Sequence, residues 1–271
     1  MKMKLSFLLF ICVFSISVFG AKVDTLRVYS EAMKKEIPAV IITPDNYSKN
    51  TSYPVAYLLH GYSGNYKAGL KAEYDAAPQY ADAYNMIIVL PDGGFSSWYF
   101  DSPIDPAWRY ETFVSKELVQ YVDKHYSTLS SPKGRAITGL SMGGHGALYL
   151  AFRHQDVFGA VGSMSGGVDI RPFPNNWDLA KRLGSYAEFP ENWEKNTIIN
   201  MTHLLTPNSL AIIIDCGTED FFYENNCRLH DKLRYNNIPH DFISRPGGHN
   251  AAYWRNSIKY QLLFFNDFFR K

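Results

Sequence analysis

Residues 135–153 read RAITGLSMGGHGALYLAFR. The first part, Arg135–Leu140, is a short apolar run of the kind that forms a buried strand. The last part, Gly143–Arg153, has the composition of a helix. Between them lies Gly139-Leu140-Ser141-Met142-Gly143, a G-x-S-x-G elbow. Glycines two positions either side of the serine keep Cβ atoms out of a tight, strained turn, and that turn lifts the hydroxyl clear at the end of the strand. Ser141 is thereby the candidate nucleophile. A phosphate-cradling loop is excluded, because the stretch does not match G-x-G-x-x-G and no lysine follows as a P-loop requires.

The elbow predicts its neighbours. Short apolar runs recur at Pro54–His60, Asn85–Pro91, Ala160–Met164, Leu210–Asp215 and Asp241–Ser244. They read as strands covered on both faces. Thr25–Met33 and Glu36–Thr43 read as earlier, antiparallel strands. Helical spacing of apolar residues appears over Glu111–Tyr126, Tyr223–Tyr235 and Ala251–Phe269. This alternation predicts an α/β fold with a mostly parallel central sheet and helices on both faces. One stretch breaks the rhythm. Residues 168–207 separate two strands by far more than the usual ~2–6-residue loop and form an insertion or a lid.

A serine hydroxyl needs a base, and a base needs an orienting acid. In folds with this elbow the chain order is Ser, Asp/Glu, His. His249, in Pro246-Gly247-Gly248-His249-Asn250, follows the last strand and is the candidate base, with His203 in the insertion as a competitor. The acid should follow the strand Leu210–Asp215. Asp220 lies beyond the turn Cys216-Gly217-Thr218-Glu219 and is the first choice, with Asp215 as the alternative. The oxyanion needs two backbone donors. The N–H of Met142 follows the nucleophile, and the N–H of Tyr62 lies in the loop His60-Gly61-Tyr62-Ser63-Gly64.

The 27 Lys and Arg balance the 26 Asp and Glu, and no polybasic block occurs. The chain therefore shows no electrostatic footprint for nucleic acid or an anionic membrane. Residues 1–20 carry Lys2 and Lys4 before an apolar run and read as a signal peptide, cut after Gly20 or Ala21. The expectation is a secreted or periplasmic protein, with 21–271 as one catalytic domain and no membrane attachment after cleavage. Export would permit a disulfide between Cys216 and Cys227, but two buried thiols are an equal alternative. No Cys/His spacing suits zinc, and no metal is expected.

The sequence resembles the esterase D-like branch of the α/β-hydrolases. That branch includes carbohydrate esterase family 1 feruloyl and acetylxylan esterases, tributyrin esterases, S-formylglutathione hydrolases and bacterial mycolyltransferases. The resemblance is carried by Leu59-His60-Gly61-Tyr62, Pro91-Asp92-Gly93, Trp98-Tyr99 with Asp101-Ser102-Pro103, and Glu111-Thr112. It continues through Gly139–Ala147, Met164-Ser165-Gly166-Gly167, Cys216–Asp220 and Gly247-Gly248-His249. It implies a Ser141–His249–Asp220 triad without cofactor, and an oxyanion hole from the backbone of Tyr62 and Met142. The implied substrates are small-molecule or oligosaccharide esters, with acyl transfer to a sugar or thioester hydrolysis as alternatives. Trp98, Tyr99 and Trp177 are candidates to line the substrate pocket.

Overall fold

The computed structural model describes residues 20–271. The expected signal peptide lies outside the described residues apart from Gly20. Eight strands form one sheet: β1 Lys22–Ser30, β2 Lys35–Thr43, β3 Val55–Leu59, β4 Ile87–Pro91, β5 Arg135–Gly139, β6 Ala160–Met164, β7 Ala211–Gly217 and β8 Asp241–Arg245. Their order is β1-β2-β4-β3-β5-β6-β7-β8. β1 and β2 pair antiparallel, as does β2 with β4, and every later pairing is parallel.

The sheet separates two apolar layers, and side-chain alternation along each strand sorts residues between them. Val55, Tyr57, Leu59, Ile87, Val89 and Ile137 face one layer. Ala56, Leu58, Ile88, Leu90 and Ala136 face the other. This explains why these runs are continuously apolar in sequence, since both faces are covered.

Among the described residues eight α-helices, with shorter 3-10 and π-helical stretches, cover the faces. α1 is Ala77–Tyr84. α2 Tyr110–Thr112 continues through a π-helical stretch, Phe113–Leu118, into α3 Val119–His125. α4 is Met142–Arg153, α5 Leu179–Leu183, α6 Pro190–Lys195, α7 Tyr223–Tyr235 and α8 Ala251–Phe269. The single helix expected over Glu111–Tyr126 thus carries a π-helical stretch that apolar periodicity does not reveal. α1 was not anticipated: its residues Ala-Pro-Gln-Tyr-Ala-Asp-Ala-Tyr bury only Ala77 and Ala81, too weak a stripe to read. α4 is buried from Met142 to Phe152, which fixes the elbow at the centre of the molecule.

The 168–207 insertion packs as part of the body. It contains α5, α6 and a 3-10 stretch, Ile198–Leu204. Leu179, Leu183, Trp193 and Ile198 are fully buried. Polar ties hold it in place: Ser102 Oγ donates to the Arg182 carbonyl at 2.6 Å, and Arg228 of Tyr223–Tyr235 donates to Asp169. Cys216 and Cys227 are free thiols.

Candidate active site

β5 ends at Gly139 and α4 starts at Met142, leaving Leu140 and Ser141 to make the whole reversal. Ser141 adopts φ 56° and ψ −116°. A non-glycine residue held there costs on the order of 1–3 kcal/mol, so the surroundings must impose it. They do so by close packing. A Cβ on Gly143 would lie 2.3 Å from the Leu59 carbonyl oxygen, and one on Gly139 would lie 2.5 Å from the Gly143 backbone. The elbow glycines are required because β5, β3 and α4 meet there without room for a methyl group. The Ser141 N–H is anchored on the Met164 carbonyl at 2.9 Å.

The turn presents Ser141 Oγ to His249. His249 Nε2 lies 2.9 Å from that hydroxyl, and His249 Nδ1 lies 2.8 Å from Asp220 Oδ2. With Nδ1 donating to the carboxylate, Nε2 is free to accept the serine proton. Asp220 Oδ1 also accepts the Phe222 N–H at 2.8 Å. Its side chain is wholly buried while that of His249 keeps a little exposure. The loops carrying acid and base are zipped together by Thr218 N–H to the Arg245 carbonyl and Glu219 N–H to the Gly247 carbonyl. Asn250 caps α8 by accepting from the Tyr253 N–H, which sets the helix start beside His249. Phe221 and Trp254 pack on the imidazole, with ring centroids at 4.3 and 4.8 Å.

Asp215 has a different role. It lies inside β7 and gives its two oxygens to Tyr253 and Arg245, not to His249. Burial pushes its carboxyl above the ordinary range, although those partners pull it back down. His203 is exposed and bonds the Asn200 carbonyl.

The two expected oxyanion donors flank the nucleophile. Neither the Tyr62 N–H nor the Met142 N–H donates to any acceptor among the described residues. The adjoining loop is tightly fixed. Ser63 N–H donates to the Phe95 carbonyl, and Gly64 N–H to the Gly61 carbonyl. His60 is neutral scaffolding: Nδ1 donates to the Gly61 carbonyl at 2.8 Å and Nε2 accepts the Gly93 N–H at 2.7 Å. Burial holds its pKa below the usual imidazole value.

A cleft of about 370 Å³ opens over Ser141, between Tyr62, Trp177, Phe221 and Trp254. Trp177 stacks on Phe221 at 5.7 Å, and Tyr62 packs edge-on against Phe95. Trp177 therefore takes the expected position, on the insertion. Trp98 and Tyr99 do not: they are 1% and 0% exposed and lie behind the cleft. Trp98 donates its indole N–H to the Trp177 carbonyl, and the Tyr99 hydroxyl donates to the His60 carbonyl. They support the walls, because bulky rings adjoining the central helix are drawn into the core. Sequence reasoning missed Phe221, which directly follows Asp220, and Trp254, which lies in the C-terminal helix and meets His249 only in the fold. A larger groove of about 790 Å³ runs beside α3 and α6, away from Ser141. Among the described residues, no group of side chains is suited to a metal ion.

A family model described as "Putative esterase" matches residues 30–265. The chain belongs to this esterase family. It is 35% identical to a diacylglycerol acyltransferase/mycolyltransferase, Ag85A of Mycobacterium leprae, over 86% of this chain and 76% of that protein. It is 33% identical to an esterase of Mycobacterium tuberculosis over 48% of this chain, and there it spans only 29% of the relative's length. Among solved structures, a ferulic acid esterase superposes with a TM-score of 0.78 and 29% identity, covering 93% of this chain and 99% of that one. The eight-stranded, mostly parallel sheet is that of an α/β-hydrolase.

Proposed function

We propose that this protein is an exported serine carboxylesterase that removes acyl groups, acetyl or feruloyl, from carbohydrate. The observation that carries this reading is the position of His249, within hydrogen-bond reach of both Ser141 Oγ and Asp220 Oδ2. In the reaction, Ser141 Oγ attacks the acyl carbonyl carbon as His249 Nε2 takes its proton. The carbonyl oxygen becomes an oxyanion, accepted by the N–H groups of Tyr62 and Met142. Collapse expels the alcohol, which takes the proton from His249 and leaves an acyl-serine. Water then attacks with His249 as base, the acid leaves, and Ser141 recovers its proton. Asp220 holds the imidazole in the correct tautomer and stabilises its charged form.

Aromatic walls around a cleft of this size suit a planar acyl group or a sugar ring. The likeness to a ferulic acid esterase supports the same choice. The positive, apolar start of the chain supports export. The test is hydrolysis of acetyl, butyryl and feruloyl esters, then of acetylated and feruloylated xylan oligosaccharides, with Ser141→Ala as control. Full activity in Ser141→Ala would overturn the reading. The mycolyltransferase likeness favours a second reading, transfer to a sugar hydroxyl in place of water. Acyl-sugar among the products when free sugar is added would select it.

A further inference from the structure

One carboxylate in the cleft has no part in the triad. Glu73 lines the cleft over Ser141 beside Ala68, Gly69 and Tyr74. It is half-buried. No salt bridge or hydrogen bond to its side chain occurs among the described residues, whereas the neighbouring Asp75 pairs with Arg255 at 3.1 Å. Arg255 also donates to the Ala72 carbonyl at 3.0 Å, so this cation is engaged on either side of Glu73. On the same segment Lys67 lies over the Tyr66 ring, and Lys71 is exposed and forms no salt bridge to Glu73. The same contacts tie this wall to the start of α8, where Trp254 faces the cleft. The Trp254 indole N–H is buried, out of reach of the cleft, and finds no acceptor among the described residues. The Tyr74 hydroxyl is spent on the Leu59 carbonyl. One wall thus offers a carboxylate without a partner among the described residues, in a lining that holds no other acidic side chain and no Lys or Arg.

We infer that Glu73 selects the alcohol half of the ester: it favours a neutral polyhydroxyl group such as a sugar and rejects anionic leaving groups. The inference rests on the esterase reading and adds to it the side of the ester that is recognised. A carboxylate can accept from two adjacent hydroxyls, and such charge-assisted bonds are stronger than neutral ones. An anionic group entering the same cleft is repelled by the Glu73 carboxylate, which no cation pairs with among the described residues. Glu73 acts on binding, since it lies outside the proton path from Ser141 through His249 to Asp220.

The test uses three acetyl esters that differ only in the alcohol: methyl, xylobiose and glucuronate. Wild type should favour the xylobiose ester over the glucuronate ester by about tenfold or more in kcat/KM. Glu73→Gln should collapse that ratio toward one. Glu73→Ala should raise KM for the xylobiose ester by about tenfold relative to the methyl ester. Labelling of Ser141 by a fluorophosphonate in each variant verifies a folded site. Wild type alone gives an independent readout. Its kcat/KM for the glucuronate ester should rise between about 20 and about 500 mM salt as repulsion is screened, with little change for the xylobiose ester. Ratios unmoved by either variant, or a flat salt response, would overturn the inference while leaving the esterase reading intact. If wild type cleaves none of the three esters, both fall together.

Discussion

Two aspartates near the end of β7 show how position divides roles between like groups. Asp215 is inside the strand, and its oxygens are taken by Arg245 and Tyr253. Asp220 is just past the turn, and its oxygens are taken by His249 and the Phe222 N–H. Both are buried. The first is locked into a structural ion pair between β7, β8 and α8. The second points to the imidazole of His249. Burial therefore does not tell the two apart; the partner does. In the proposed reaction Asp220 is the acid because it faces His249, whereas Asp215 faces a guanidinium that keeps its charge.

The contrast can be broken by substitution. Ser141→Ala should lower kcat by roughly 10⁵–10⁶-fold while leaving thermal unfolding nearly unchanged, since a set of groups acting as a unit fails when its nucleophile is lost. Asp220→Asn should lower kcat by about 10⁴-fold in steady-state kinetics, because an amide in place of the carboxylate favours the wrong imidazole tautomer. Asp215→Asn should do the reverse. It strands the Arg245 charge and should cost ~3 kcal/mol in chemical denaturation, with kcat of the folded fraction within about threefold of wild type. A 10³-fold loss of kcat in Asp215→Asn would erase the distinction between the two.

Glu111 sharpens the comparison as a third buried carboxylate. Burial pushes its carboxyl up, but hydrogen bonds from His154, Arg153 and Tyr149 outweigh it and hold the pKa at about 2. A folded pKa below the ordinary 4.5 means stability that is present above pH about 4.5 and lost as pH falls toward about 2. The size is about 3 kcal/mol. Urea unfolding of wild type and Glu111→Gln should differ by that order at pH 7 and converge near pH 2. The smallest effect concerns the cleft. Phe221→Ala removes a ring stacked on Trp177 and tilted against His249, and should raise KM for feruloyl esters by about three- to tenfold with less effect on acetyl esters.

Much of the fold was legible because its signals are local. The strand at Ala160–Met164 and the helices at Tyr223–Tyr235 and Ala251–Phe269 begin and end where apolar patterning places them. α1 and the π-helical stretch were not legible, since neither leaves a strong apolar stripe. The insertion defied reading for another reason. Whether such a segment is a lid or part of the body depends on what it packs against, and Trp193 and Leu183 become core only because the scaffold receives them. Trp98 and Tyr99 were misplaced in the same way. Both have φ above +50°, and both point into the interior behind the site and not toward the substrate.

The sequence by itself determined the elbow. Gly139, Ser141 and Gly143 mark it within five consecutive residues, so no distant contact is needed to recognise it, although packing against β3 holds its backbone geometry. It also carried the expected order of nucleophile, acid and base along the chain. Only the tertiary structure shows that Asp220, and not Asp215, meets His249, and which aromatic rings reach the cleft. Ser141 and His249 lie 108 positions apart in the chain, and His249 and Asp220 lie 29 apart. Such distances are closed by the parallel sheet, which brings the loops at one edge of β5, β7 and β8 together. Spacing along a chain fixes local backbone shape, but which side chains meet is set by how the strands stack.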